Sequence, residues 1–352
     1  MNTGCFDEVI SRRGTNCAKY DEMDEKYGKD ILHCGVADMD FRAPEPIREA
    51  CRKVTDHGIY GYTNLPSCYP AVVGEWIRRE YGCRVEDEWI LFSPRINIGL
   101  NMAVETFTKP GDRIIVHTPA YPALTDAVNK HGRIMIGSPL EWDGTRWSMN
   151  FDALESKMDA SVKMMILCNP QNPTGSIWSR EELGRIGELC AANHVTVISD
   201  EIHCDLTEPG YDYIPFASVS EECAQNSITC IAPTKAFNLA GLQTAAVAVP
   251  NEYLRHKMER ALNNDEVAEP NAFAIDAAIA AFTQGEEWLD DLRNYLAENR
   301  RIVRSFLERE LPNVSLVQSH ATYLLWLDCT RVLGDAAELC RYLRRETGLY
   351  LS

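Results

Sequence analysis

Four places in the chain set a polar residue at the end of a short apolar run. Met164-Met-Ile-Leu-Cys runs into Asn169-Pro-Gln-Asn-Pro-Thr-Gly175, where two prolines and a glycine impose a tight non-helical turn and leave Asn172 just beyond the run. Taken alone, that turn is as readily an ordinary Asn-Pro turn as a site. Val195-Thr-Val-Ile-Ser ends in Asp200, a carboxylate placed where it is partly desolvated and in need of a cation or hydrogen-bond donors. Ile228-Thr-Cys-Ile-Ala-Pro leads to Thr234 and Lys235, with Phe237 beyond. Most lysines are solvated surface charges. One with apolar flanks loses its proton more readily and becomes a nucleophile toward carbonyl carbon. Ile114 to His117 ends at Pro119-Ala-Tyr121-Pro, which supplies a flat aromatic ring.

Residues of these types can meet only if the runs are neighbouring strands of one sheet. Ile114 to Val116, Met164 to Cys168, Val195 to Ser199, Ile228 to Ala232 and Ala245 to Val249 alternate in several places with helical segments, the pattern of a largely parallel α/β sheet. Such sheets bind ligands at the carboxyl ends of their strands, where all four polar positions fall. Ser179 to Asn193 reads as a helix opened by a Ser179/Glu182 capping box. Trp288 to Leu311 has one long amphipathic pattern ending at Pro312, followed by a strand-like Thr322 to Leu327 and a helix-like Ala336 to Glu346. A second, smaller domain is expected there.

The chain has 352 residues, about two domains' worth, with 45% hydrophobic and 25% charged residues. Thirty-five basic against 52 acidic residues give a net charge of -17, with no basic block. That balance points away from nucleic acid and from anionic membranes. No signal-like start and no long apolar run is present, and the thirteen cysteines lack Cys-x-x-Cys spacing. A cytoplasmic protein with reduced thiols is expected. An apolar strand ending in Asp-Glu also suggests a phosphate-loop nucleotidase, but the Gly-x-x-x-x-Gly-Lys loop such enzymes require is missing.

Asn-Pro-Gln-Asn-Pro-Thr-Gly, Ser-Asp-Glu-Ile-His and Pro-Thr-Lys-Ala-Phe-Asn-Leu-Ala-Gly-Leu, in this order and spacing, resemble the fold type I pyridoxal phosphate enzymes of the aspartate aminotransferase superfamily. Ala37-Asp-Met-Asp-Phe41, Tyr60-Gly-Tyr-Thr63 and Ala321-Thr-Tyr-Leu-Leu-Trp-Leu-Asp328 resemble its cystathionine β-lyase or carbon-sulfur lyase branch. The resemblance runs from about residue 5 to the end. It implies a large domain over 46–285 and a small domain over 286–352, with an N-terminal arm over 1–45 contributing to the small domain.

The resemblance also implies roles. Lys235 would tether pyridoxal 5'-phosphate and move the substrate Cα proton, Asp200 would pair with the ring nitrogen, and Asn172 would donate to the phenolic oxygen. Tyr121 would stack on the ring. The phosphate would sit at the helix start after Ser93, on Arg95 and Ile96 with Thr234 as a hydroxyl donor. Arg95 departs from the small residues of relatives. His203 would stand behind the cofactor, a metal site with Asp205 having no third ligand to complete it. Tyr62 would reach the phosphate of a second subunit, implying a homodimer. The expected reaction is elimination from L-cystathionine or a cysteine S-conjugate; an aminotransferase, or a cofactor-binding scaffold for another protein, is the alternative. Relatives grip the substrate carboxylate with an arginine near the C-terminus. No residue of Gly348-Leu-Tyr-Leu-Ser352 corresponds to it. The small domain therefore reads as incomplete, and a chain of this length is expected to bind cofactor but turn over amino acids poorly.

Overall fold

The computed structural model describes residues 5–264 and 268–352. Seven strands form the central sheet: β1 Ile90–Ser93, β2 Arg113–Thr118, β3 Ile134–Pro139, β4 Val162–Cys168, β5 Thr196–Asp200, β6 Ser227–Ile231 and β7 Ala245–Ala248. Their order is β1-β7-β6-β5-β4-β2-β3. β7 runs antiparallel to both neighbours, and every other pairing is parallel. The expected largely parallel sheet therefore carries one reversed strand. Since β1 and β6 both oppose β7, they run the same way, and β1, β2, β4, β5 and β6 all point their carboxyl ends to one edge.

The central strands read as nearly continuous apolar runs because both faces are covered. On β4, Met164, Met165, Ile166, Leu167 and Cys168 are all buried. Alternate residues go to opposite layers: Met164, Ile166 and Ile198 pack with Leu100 and Val104, whereas Met165, Leu167 and Val197 pack with Leu183 and Ile186. The second layer rests on helix Arg180–Ala192, whose capping box is formed with Ser179 Oγ accepting from Glu182 N–H and Glu182 accepting from Ser179 N–H. A cap of this kind contributes about 1 kcal/mol.

A third core lies under helices Cys68–Tyr81, Ala274–Gln284 and Glu286–Glu310, joining Trp76, Phe237, Phe282, Leu289 and Leu292. The long helix and helix Ala336–Thr347 occupy the expected stretches. The expected strand from Thr322 does not form: only Leu327–Asp328 pairs, with Ser315–Leu316. Thr322 takes φ 66°, outside strand geometry, and its carbonyl is held by Arg300 Nη2 at 3.0 Å instead of by a neighbouring strand. Leu32–His33 pairs in parallel with Leu349–Tyr350, tying the N-terminal segment to the C-terminal one. Among the described residues no helix is long and apolar enough to cross a membrane.

Candidate active site

The sheet register brings the chemistry together. Cys168 on β4 is level with Asp200 on β5, which is level with Cys230 on β6, so the Asn172 turn, Asp200 and the Lys235 turn leave the sheet side by side. Asp200 is buried and accepts from Ile202 N–H at 3.2 Å. It forms no ion pair among the described residues. Burial pushes its carboxyl up to about 6, against the Ile202 hydrogen bond and the more distant charge of Lys235.

Lys235 lies on the single helical turn Pro233–Ala236. Its Nζ donates to Ala37 O at 2.7 Å. Burial pushes its amine below the ordinary lysine range, while Asp38 and Asp200 pull the other way. Thr234, beside it, is half-buried. Asn172 Nδ2 stands 3.4 Å from His203 Nε2. His203 is buried and its Nδ1 has no hydrogen-bond partner among the described residues; burial, aided by Lys235, drops its pKa to about 3 and keeps the ring neutral. Gln171 Nε2 donates to Pro119 O at 2.9 Å, fastening the Asn172 turn to the Tyr121 turn. Tyr121 is 43% exposed.

Ser93 ends β1, and helix Ile96–Phe107 opens on Arg95 with no side-chain cap. Arg95 O accepts from the N–H groups of Ile98 and Gly99, leaving those of Ile96 and Asn97 free of backbone acceptors. Ile96 itself is core, packed in the layer with Leu100, so it can offer an anion its N–H and nothing of its side chain. Arg95 is exposed. Tyr62 is wholly exposed, in a stretch where Tyr60 stacks on Phe273; it joins none of these groups within one chain. Asp205, weighed above with His203, is committed elsewhere: its Oδ1 accepts from Trp76 Nε1 at 3.0 Å and from Tyr81 OH.

Residue-by-residue reading missed the strap over 37–41. Arg12 makes two bonds to Asp38, at 2.9 and 2.7 Å, and one to Asp40 at 2.9 Å, while Lys19 Nζ reaches Asp40 at 2.8 Å. Burial would raise the Asp40 carboxyl, but Lys19 and Arg12 outweigh it and hold it low. Asn238, at φ 58°, clasps Met39 N–H, Met39 O and Phe41 O. Alternating acids among apolar residues in Ala37-Asp-Met-Asp-Phe41 were the available signal. A second omission is Tyr323, whose hydroxyl donates to Ala37 O at 2.8 Å.

The sequence profile of the class I and II aminotransferases matches residues 31–352. The chain belongs to that family. It is 44% identical over 344 residues to cystathionine beta-lyase PatB of Bacillus subtilis, covering 97% of this chain and 89% of that protein. Among solved structures, the PLP-bound C-S lyase of Staphylococcus hominis superposes with a TM-score of 0.91 at 32% identity, covering 98% of this chain and 88% of that one. Cystalysin of Treponema denticola, whose crystals contain pyridoxal 5'-phosphate, gives a TM-score of 0.92 at 28% identity, covering 97% and 88%. The mostly parallel sheet with flanking helices is thus the fold type I architecture.

Glu201, next to Asp200, faces away from this cluster: its Oε1 accepts from Ser199 Oγ at 2.7 Å and Phe216 N–H at 3.0 Å. Burial pushes its carboxyl up to about 7. A carboxyl raised on folding contributes stability that is present below its unfolded pKa and lost as pH rises through the folded one. Glu201→Gln, which keeps an accepting oxygen, removes that dependence. The variant is expected to gain on the wild type by about 1–3 kcal/mol between pH 5 and pH 8. Paired denaturant melts at the two pH values measure this; a constant difference between the proteins would show that Glu201 is ionised throughout.

Proposed function

We propose that this chain is a pyridoxal phosphate-dependent carbon-sulfur β-lyase acting on L-cystathionine or related cysteine S-conjugates. The observation that carries the reading is the buried Asp200 carboxylate, with no ion pair among the described residues, at the same sheet edge as the turn that carries a desolvated Lys235. A fold tolerates such a charge where a cation is to be received. The surroundings fit pyridoxal phosphate group by group. Asp200 suits a protonated ring nitrogen, and Asn172 with His203 suits the phenolic oxygen. Lys235 suits the aldehyde and Tyr121 the ring face. The free N–H groups of Ile96 and Asn97, with Thr234 and Arg95, suit the phosphate.

When bound, this cofactor supplies an electron-withdrawing ring that lets an amino acid lose its Cα proton. The residues then divide the work. Asp200 keeps the proton on the ring nitrogen. Lys235 Nζ, lowered from the ordinary lysine range by burial, takes the proton from Cα. The Cβ–S bond breaks as the electron pair leaves with sulfur, and water completes the release of pyruvate and ammonia. Preference for elimination over amino transfer rests on the likeness to PatB and to the C-S lyase of Staphylococcus hominis. A cytoplasmic homodimer is part of the reading: Tyr62, fully exposed here, is available to a second copy's phosphate site.

The test is L-cystathionine with the purified, cofactor-loaded protein. Pyruvate and free thiol in equal amounts, without an added keto acid, are expected. Turnover only in the presence of a keto acid would make the protein an aminotransferase instead.

A further inference from the structure

Ala37 O is the meeting point of two donors from different parts of the chain: Lys235 Nζ at 2.7 Å and Tyr323 OH at 2.8 Å. A carbonyl oxygen has two lone pairs, so both bonds can stand together. We propose that Tyr323 is a positioning residue for Lys235, its hydroxyl holding the Ala37 carbonyl turned toward the amine so that the lysine has a fixed, uncharged docking point whenever it is free.

The reasons are geometric. The carbonyl belongs to the strap, and the hooks on the strap act elsewhere: Arg12 and Lys19 on Asp38 and Asp40, Asn238 on Met39 and Phe41. The peptide that carries Ala37 O has its own N–H, that of Asp38, on Val36 O at 2.9 Å, and Tyr323 is the second hold on it, acting on the carbonyl itself. That tyrosine is itself built in. Arg300, buried on the long helix, holds Thr322 O at 3.0 Å and Ala321 O at 3.4 Å. Ala321 N–H and His320 N–H bond to Gly175 O, and Gly175 sits at φ 69° where a Cβ would fall 2.6 Å from Ser319 Cβ. The Asn172 turn and the Tyr323 segment are thereby locked together.

The choice of acceptor has a chemical consequence. A carboxylate in place of the carbonyl would stabilise the ammonium; a neutral oxygen already shared with a phenol does so far less. Burial raises the Tyr323 phenol above its ordinary range, so it stays a donor throughout the working pH range. The charges that act on Lys235 are Asp38 from the strap and Asp200 from β5, and its own charge helps keep the His203 ring neutral. None of these charges is touched by removing a single hydroxyl.

This inference rests on the reading of Lys235 as the reacting amine, but its test does not need the cofactor. In cofactor-free Tyr323→Phe, competitive acylation of lysines followed by peptide mapping gives the titration midpoint of Lys235. The ring packing is kept, the carbonyl can turn away, and the amine follows it toward water. The midpoint is expected to rise by about half a unit or more, roughly threefold less neutral amine at a given pH. In the loaded enzyme kcat should fall with KM little changed. Tyr295→Phe is the control, since that hydroxyl donates to Asp7 Oδ1 and should leave the Lys235 midpoint where it was. A Lys235 midpoint unchanged or lowered in Tyr323→Phe would overturn the inference. A wild type that takes up no pyridoxal phosphate at Lys235 would instead overturn the functional reading.

Discussion

Lys235→Ala is expected to lower the rate of pyruvate release from cystathionine by about ten-thousand-fold, with loss of the visible absorbance of the bound cofactor. Two roles disappear together, the covalent tether and the base at Cα, and proton transfer alone contributes up to about 10⁴-fold. No neighbour can substitute. Of the carboxylates close by, Asp38 is held by Arg12, and Asp200 is an acid committed to a different atom of the cofactor. The fold should survive, because Lys235 makes a single hydrogen bond, to Ala37 O, and that oxygen keeps Tyr323 as a donor. Thermal denaturation of the cofactor-free variant within a few degrees of wild type, beside abolished turnover, is the expected pair of results. Retention of more than about 1% of wild-type activity would remove Lys235 from the chemistry.

Asp200→Asn should separate activity from stability in opposite directions. Turnover is expected to drop by about 10²–10³-fold, because an amide cannot keep a proton on the ring nitrogen and the developing Cα charge loses its sink. The cofactor-free protein, by contrast, should melt no lower than wild type above pH 6. There the native carboxylate is ionised and buried with one backbone N–H and no ion pair among the described residues to offset its charge, and its removal relieves a cost. The contrast with Asp205 sharpens the point. That carboxylate is just as buried, but Trp76 and Tyr81 donate to it and Arg293 acts on it, so its replacement would strip an assembled network. A buried acid with its donors supplied is structural; one left waiting is a receptor for something the protein does not contain. Asp200→Asn with activity within tenfold of wild type would end that argument, and a marked fall in cofactor-free stability would show that Asp200 is structural after all.

Much of the scaffold was readable along the chain because the determinants are local. Apolar runs of strand length, a capping box at Ser179 and a continuous helical stripe from Trp288 each encode their element within a few residues, and the elements form there. The edge strand Ile134–Pro139 escaped notice because Ser138 alone of its six residues is buried and its apolar run is only three residues long. Thr322 to Trp326 misled for the opposite reason: β-prone residues pack as an irregular segment when Arg300 and Leu206, distant in sequence, claim the Thr322 carbonyl and N–H that a strand would use. The reversal of β7 has no local signature, since strand direction is decided by what pairs with what.

The same division holds at the site. Sequence alone determined which side chains could react: an aspartate after an apolar run, a lysine with apolar flanks, an asparagine held by prolines. Each of those conditions is satisfied or not by neighbours along the chain. The tertiary structure decided how they are tuned. It buried Asp200 with no ion pair among the described residues, aimed Lys235 at a neutral carbonyl from the N-terminal strap, buried His203 beside Asn172, and brought Tyr323 to the same oxygen as Lys235. Desolvation and hydrogen bonding act through space over a few ångströms, and residues 31, 198 and 286 positions apart come within that range only when the chain has folded.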